Sequence, residues 1–185
     1  MSLEIEVVAD AYKFDVVIVG GSLSGMLAAI YLKNKGIKCA FLEKGLPGGS
    51  LRNVNNIKNF MNITSINGST LCDQIFNHAI KEVKTPYFFA DIQTIKQQPN
   101  EKFYLYHGTK VWEAKIIIFA CKPEITTIQF LNNLKVTNNK FIVNQNNETS
   151  LKNIYAIGPA VGCDLPDQQM QSANKVIDVI SQLIK

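Results

Sequence analysis

The amino-acid sequence predicts an α/β fold built on a parallel sheet, and two stretches carry that expectation. DVVIVG, from Asp15 to Gly20, is short, β-branched and ended by glycine, as a strand buried on both faces should be. AKIIIFA, ending at Ala120, is wholly apolar and suits the interior of the same sheet. After the first strand, Leu23, Met26, Leu27, Ile30 and Tyr31 recur at helical spacing and lay one apolar stripe along a helix. Gly36 closes that helix as a residue tolerant of positive φ, and KCAFLE gives the next strand, ending at Glu43. The unit is β-α-β with a right-handed crossover.

The stretch from Lys44 to Ser69 is rich in Gly, Asn and Ser, has little periodicity, and predicts a long irregular loop of the kind that is usually functional. A helix follows from about Ser69, its N-cap, with Leu71, Ile75, His78 and Ala79 on one side. YFFADIQTIKQ, KFYLYHG and TKVWEAK read as strands, the last two joined at Gly108 as a hairpin, with Trp112 a packing residue. The pattern weakens between Cys121 and Asn139. NKFIVNQ and NIYAIG then give two short strands, and an amphipathic helix from about Asp167 to Ile184 closes the chain.

A length of 185 residues, 46% of them hydrophobic and 18% charged, predicts a single globular domain over residues 1–185. The net charge of +4 comes from dispersed lysines, which argues against a nucleic-acid arm or a membrane-surface patch. No apolar run approaches the roughly 20 residues of a bilayer span. MSLEIEVVAD lacks the basic and apolar regions of a signal peptide, so a cytoplasmic location is expected. Cys39, Cys72, Cys121 and Cys163 form neither a CxxC pair nor a zinc-type cluster, so no metal site is expected. Neither His78 nor His107 lies in a motif.

GGSLSG, from Gly20 to Gly25, sits between the first strand and the helix, where a dinucleotide-binding turn belongs. Gly20 makes the tight turn and Gly25 permits close helix packing. Ser22 replaces the glycine that lets backbone approach a pyrophosphate, adding a Cβ but also a hydroxyl able to bond a phosphate oxygen. The helix N-terminus at Leu23 to Gly25 points amides and its dipole at that spot. Glu43 lies roughly 20 residues on, where a carboxylate accepts from a ribose 2′-hydroxyl. Its charge opposes a 2′-phosphate, which favours FAD or NAD over NADP.

These residues resemble the FAD-binding domain of the thioredoxin-reductase-like (pyridine nucleotide-disulfide oxidoreductase) flavoproteins. EKGLPGGSL is similar to that family's EKG-x-x-GGQL, Asn59-Phe60 falls at the place of its ENxPG, NKFIVNQNNETSLKNIYAIGPA looks like its GyIvvD…TsvpGvyAaGD, and DQQMQSA looks like its RQAxxSA. The resemblance covers Asp15 to about Ala120 and about Asn138 to the end. It implies a Rossmann-like doubly wound parallel sheet with a small β-hairpin layer, the FAD/NAD(P)-binding fold, and FAD as cofactor. Gly20, Gly21, Ser22, Leu23, Ser24 and Gly25 would hold the pyrophosphate and Glu43 the adenosine ribose. Gly49, Ser50, Leu51 and Asn59 would line the flavin side, Gly158 and Pro159 would approach the ribityl chain, and Gln168, Gln169 and Met170 would stand near the flavin ring. Lys44, Ile92 and Ala120 complete the expected cofactor-binding set.

The departures are also informative. The family carries an inserted NADPH-binding domain, bearing a redox CxxC in true thioredoxin reductases. Here about twenty residues join halves at about 12–120 and 138–185. A thioredoxin reductase reaction is therefore not expected, and no catalytic residue stands out. Ser50, Met61, Cys121-Lys122 and Pro159 all depart from positions the resemblance assigns to flavin contacts, and Pro159 stands for an aspartate. Three readings stay open: a single-domain flavoprotein oxidoreductase served by a diffusible reductant or separate redox partner; a protein that keeps FAD or an adenine nucleotide without turnover; and a cofactor-free domain acting through a partner or homodimer interface.

Overall fold

The computed structural model describes residues 10–123 and 133–184. Five parallel strands form the central sheet, β2 (Val16–Val19), β3 (Cys39–Glu43), β6 (Tyr87–Phe89), β10 (Ile116–Phe119) and β13 (Ile154–Ala156), in the spatial order β13-β10-β2-β3-β6. The neighbours of β2 on its two sides are reached in opposite directions, so the crevice at the carboxyl ends of β2 and β10 is the topological switch point where α/β sheets bind ligands.

Alternation along each strand feeds two cores. Val16 and Ile18 of β2, with Ile116 and Ile118 of β10, face a layer of three helices, α1 (Leu23–Asn34), α2 (Gly68–Asn77) and α3 (Pro166–Leu183). Val17, Val19, Ile117 and Phe119 face the other way. They meet a four-stranded sheet of β1 (Tyr12–Lys13), β7 (Thr94–Gln97), β8 (Phe103–His107) and β9 (Lys110–Ala114), ordered β1-β9-β8-β7. The expected hairpin layer is this sheet, with β8 and β9 joined through Gly108 at φ 55°. Trp112 is fully buried in it, between Tyr12 and Phe88.

Four local expectations need correction. α1 carries no single apolar stripe: Ser24, Gly25, Ala28 and Ala29 are buried along with the larger residues, because the helix is lodged between the sheet, α2 and α3. The stretch from Lys44 to Ser69 is ordered, as a 3-10 turn (Gly49–Asn53) and a hairpin of β4 (Ile57–Phe60) and β5 (Ile63–Ile66). Its strands are short, and Asn59, Met61 and Asn62 take positive φ, while Ile57 and Phe60 anchor the hairpin in the helical-side core. α2 begins earlier than Ser69, with Asn67 as N-cap accepting from the Ser69 amide at 2.8 Å; His78 turns aside to pair with Glu82 at 2.8 Å. YFFADIQTIKQ is divided between two sheets, β6 and β7, joined by the irregular segment from Ala90 to Gln93.

NKFIVNQ contributes only β12 (Lys140–Phe141), paired with β11 (Val136–Thr137). The expected connector from Cys121 to about Asn138 lies partly outside the described residues, as does most of MSLEIEVVAD. Among the described residues, no helix is long and apolar enough to cross a membrane, and no cluster of His, Cys, Asp and Glu could hold a metal ion.

Candidate functional site

The chain leaves β2 through Gly20, whose φ is 107° and whose amide donates to the Leu42 carbonyl at 2.8 Å. A Cβ at Gly20 would lie 2.8 Å from the Cys121 Cβ, and one at Gly25 would collide with the Gly20 carbonyl oxygen. Both positions therefore require glycine on packing grounds. Ser22 caps α1: its Oγ accepts from the Gly25 amide at 3.3 Å and lies 2.8 Å from the Ser24 Oγ. The hydroxyl expected to meet phosphate is thus already engaged as an N-cap.

Glu43, at the carboxyl end of β3, is half-buried. Its Oε2 accepts from the Gly21 amide at 2.6 Å and its Oε1 from the Gly45 amide at 2.7 Å. The carboxylate braces the glycine turn from both sides. A carboxylate has about four acceptor sites, so capacity for ribose hydroxyls remains.

The far end of the chain closes on the same turn. Gly158, following β13 with φ 57°, packs so tightly on α1 that a Cβ there would collide with the Ser24 Oγ. Its amide donates to the Ser172 Oγ at 3.2 Å. Gln169, only 3% exposed, accepts with Oε1 from the Ser24 amide at 3.2 Å and donates with Nε2 to the Asp164 carbonyl at 3.1 Å. Among the described residues, the amides of Ser22 and Leu23 are left without a hydrogen bond. They lie at the positive end of the α1 dipole, on buried residues, and α1 has no acidic residue in its first turn.

Beside this turn opens a small cleft of about 70 Å³, partly open to solvent. Val19, Leu42, Ala90, Ile92, Phe119 and Phe141 make it apolar, with Phe119 and Phe141 stacked at 5.0 Å. Glu43, Lys44, Asp91, Cys121, Lys122 and Pro123 also line it. Lys44 faces Asp91 at 4.0 Å, and Lys122 faces Asp164 at 3.6 Å. Of the expected set, Gly20, Glu43, Lys44 and Ile92 line the cleft, and Ala120 backs Gly20 and Gly25. Cys121 and Lys122, which the resemblance assigns to flavin contacts, line the cleft together with Glu43. Val19, Leu42, Ala90, Asp91, Phe119, Pro123 and Phe141 also line it, outside the expected set. Phe119 and Ala90 read as core residues, and nothing in the spacing announces that β12 covers the cleft.

The remaining expected residues are spread more widely. Gly48 donates to the Gly21 carbonyl at 2.6 Å, which tethers the GGSL loop to the glycine turn. Gly49 and Ser50 are exposed, whereas Leu51 is buried. Arg52 secures the loop by donating to the Pro47 carbonyl and to Asp73 of α2 at 2.6 Å. Asn59 stands exposed on the β4–β5 hairpin. Pro159 opens a 3-10 turn (Gly158–Val161) and brings neither an amide N–H nor a carboxylate. Gln168 is exposed on the first turn of α3, its side chain accepting from the Leu165 amide at 3.4 Å, and Met170 packs against the helical-side core.

The sheet order, the glycine turn and the acid after β3 define the FAD/NAD(P)-binding fold, with its ligand crevice at the carboxyl edge of the sheet. No protein-family model matches the chain. In sequence it is similar to the thioredoxin reductase of Bacillus subtilis (strain 168), 30% identical over 115 residues, which is 62% of this chain and 36% of the relative. The chain spans about a third of the length of the curated thioredoxin reductases it matches. Its fold is that of a thioredoxin reductase from Gloeobacter violaceus (TM-score 0.80, 11% identity, 95% of this chain and 96% of that one covered). It is also that of a ferredoxin-flavin thioredoxin reductase from Clostridium acetobutylicum (TM-score 0.81, 12% identity, 94% and 99% covered). The chain therefore resembles the FAD-binding domain of these reductases, without the full NADPH-binding domain.

Proposed function

We propose that this chain binds FAD along the carboxyl edge of its parallel sheet and acts as a single-domain flavoprotein oxidoreductase. The apolar cleft that opens beside Glu43 and Gly20 of the glycine turn carries this reading. The adenosine enters the cleft, Glu43 accepts from its ribose, and the Ser22 and Leu23 amides take the pyrophosphate. Gly49, Ser50, Leu51 and Asn59 face the flavin portion, as do Gly158, Pro159 and the start of α3. When bound, FAD supplies hydride and single-electron transfer chemistry, and the protein supplies binding, orientation and electrostatics.

In this reading the halves at about 12–120 and 138–185 form one FAD-binding domain. Its short connector occupies the place of the NADPH domain that the resemblance implies. The sequence holds no CxxC pair, which supports a reaction other than thioredoxin reduction, with electrons passing between a diffusible reductant and a separate partner. A second reading, retention of FAD or an adenine nucleotide without turnover, is favoured by the position of the cleft at the adenosine end alone.

The visible spectrum of the purified protein tests both readings. A flavin spectrum, bleached by NADH or NADPH and restored by an added acceptor with turnover, is expected. A bound flavin that neither nucleotide reduces supports the second reading. A colourless protein that takes up no added FAD overturns both.

A further inference from the structure

We propose that the polar groove beside α3 is a binding site for a small hydroxy-carboxylate, held by the ammonium of Lys175 and the hydroxyl of Ser172.

The groove encloses about 300 Å³ and opens to solvent, a volume at the small end of ligand pockets. Gln168, Gln171, Ser172 and Lys175 line it from α3, at the i, i+3, i+4, i+7 spacing of one helix face. Ala173, Val176, Ile177 and Ile180 of the same helix are spent on the helical-side core. Asn147 and the Gly162–Cys163 turn make the opposite wall. The groove shares no lining residue with the cleft beside Glu43, and apart from Gln168 its residues lie outside the expected cofactor set.

Ser172 points to a missing acceptor. It is only 7% exposed, and its Oγ accepts from the Gly158 amide at 3.2 Å and from the Asn147 Nδ2 at 3.4 Å. Those bonds fill both lone pairs, so the hydroxyl proton is left to donate, and no acceptor for it is present among the described residues. Leaving a buried donor unpaired is costly, and an acceptor entering the groove relieves that cost. Asn147 is the complement: its Nδ2 is used by Ser172 and by the Ala156 carbonyl at 3.0 Å, which leaves Oδ1 to accept. Gln168 commits its oxygen to the Leu165 amide at 3.4 Å and keeps its NH2 group as a donor.

The charge has one sign. Lys175 is exposed and makes no ion pair among the described residues, and no acidic residue lines the groove. Half-buried Lys140, also without an ion pair among them, lays its ammonium against Gly162, where a Cβ would collide with it. A cation, a hydroxyl donor and an amide donor suit a carboxylate, and the single acceptor of Asn147 suits a hydroxyl on the same molecule.

The test uses the full chain, with lactate, propionate and lactamide as probes at millimolar concentrations, read by calorimetric titration and by thiol labelling with mass spectrometry. Lactate is expected to bind and to slow labelling of Cys163, which lines the groove, while leaving Cys121, which lines the cleft, unchanged. Propionate lacks the hydroxyl and lactamide the charge, so each is expected to bind about threefold or more weaker. Lys175→Gln should weaken lactate by about threefold or more without moving the urea midpoint, and Lys175→Arg should keep most of the affinity. Lactate that protects neither cysteine, or that protects Cys121 in place of Cys163, would overturn the proposal. So would propionate or lactamide binding as tightly as lactate, or a Lys175→Gln variant with the parent's affinity.

Discussion

Replacing Glu43 separates its structural task from its binding task. In Glu43→Ala the Gly21 amide, which is buried, loses its 2.6 Å acceptor, and an orphaned buried donor costs about 1–3 kcal/mol. The Gly45 amide is exposed and can turn to water, so its 2.7 Å bond adds at most about 1 kcal/mol. The expected loss of stability is about 1–4 kcal/mol. Glu43→Gln can keep its amide oxygen on Gly21, but its NH2 group cannot accept from Gly45, so that exposed bond and the charge assistance are lost, about 1–2 kcal/mol. Urea denaturation at constant m-value should therefore rank the variants parent, Gln, Ala. Adenosine titration should rank them in the same order if the carboxylate also accepts from ribose. An Ala variant within 0.5 kcal/mol of the parent would refute the bracing role, and one that binds adenosine as tightly as the parent would refute the ribose role.

Three further outcomes are expected. Gly158→Ala should cost about 2–4 kcal/mol, from a left-handed φ and a collision with Ser24, whereas Gly36→Ala, at φ 76° in open space, should cost only about 1–2 kcal/mol; equal losses in denaturation would remove the packing argument at Gly158. Burial alone would raise the Glu113 carboxyl, but the hydrogen bond and charge of Lys102, with Tyr104 and Lys13, hold it below the usual range, and the same hydrogen bond raises Lys102. The pair therefore contributes fully between their unfolded pKa values, about 4.3 and 10.4, and less as pH falls through the lowered value or rises through the raised one. The stability gap between parent and Glu113→Gln should be widest near neutrality and shrink at both extremes; a gap independent of pH would refute the pairing. Burial pushes the Cys39 thiol up to about 12, so at pH 8 a thiol reagent followed by mass spectrometry should label half-exposed Cys121 and Cys163 first and Cys39 only on unfolding.

The sequence was most legible where structure is local. DVVIVG, the helix after it and KCAFLE form a contiguous unit, so periodicity and a glycine turn place Gly20, Gly25 and Glu43 correctly. Legibility fell where tertiary contacts decide. The division of YFFADIQTIKQ between two sheets depends on which neighbours each half finds, and the division exposes Asp91 and Ile92 to the cleft. The β4–β5 hairpin was hidden because short strands and asparagines at positive φ give little alternation to read. Phe141 reaches the cleft from a two-residue strand far along the chain, and Gln169 reaches Ser24 from another helix. Neither contact has any signature in spacing.

The glycines bear less on ligand binding than their motif suggests. Gly20 and Gly25 are required by the approach of α1 to β2 and to Ala120, and Gly158 by its contact with Ser24. Glu43 is required to brace the turn, whether or not a ribose is present. A chain that never bound a nucleotide would need all four to keep this fold. The features that folding does not need are fewer: an apolar cleft at the sheet's carboxyl edge, lined in part by the irregular segment from Ala90 to Ile92, and two amides of a helix N-terminus without acceptors among the described residues. An apolar surface of that kind is stabilised by being covered, and helix-end amides without acceptors are stabilised by an anion that reaches them. Both demands meet in an adenine nucleotide, whose base is apolar on its faces and whose phosphates are charged. The case for a cofactor therefore rests on the cleft and the Ser22 and Leu23 amides, and variants there report on binding where variants of the glycines report first on folding.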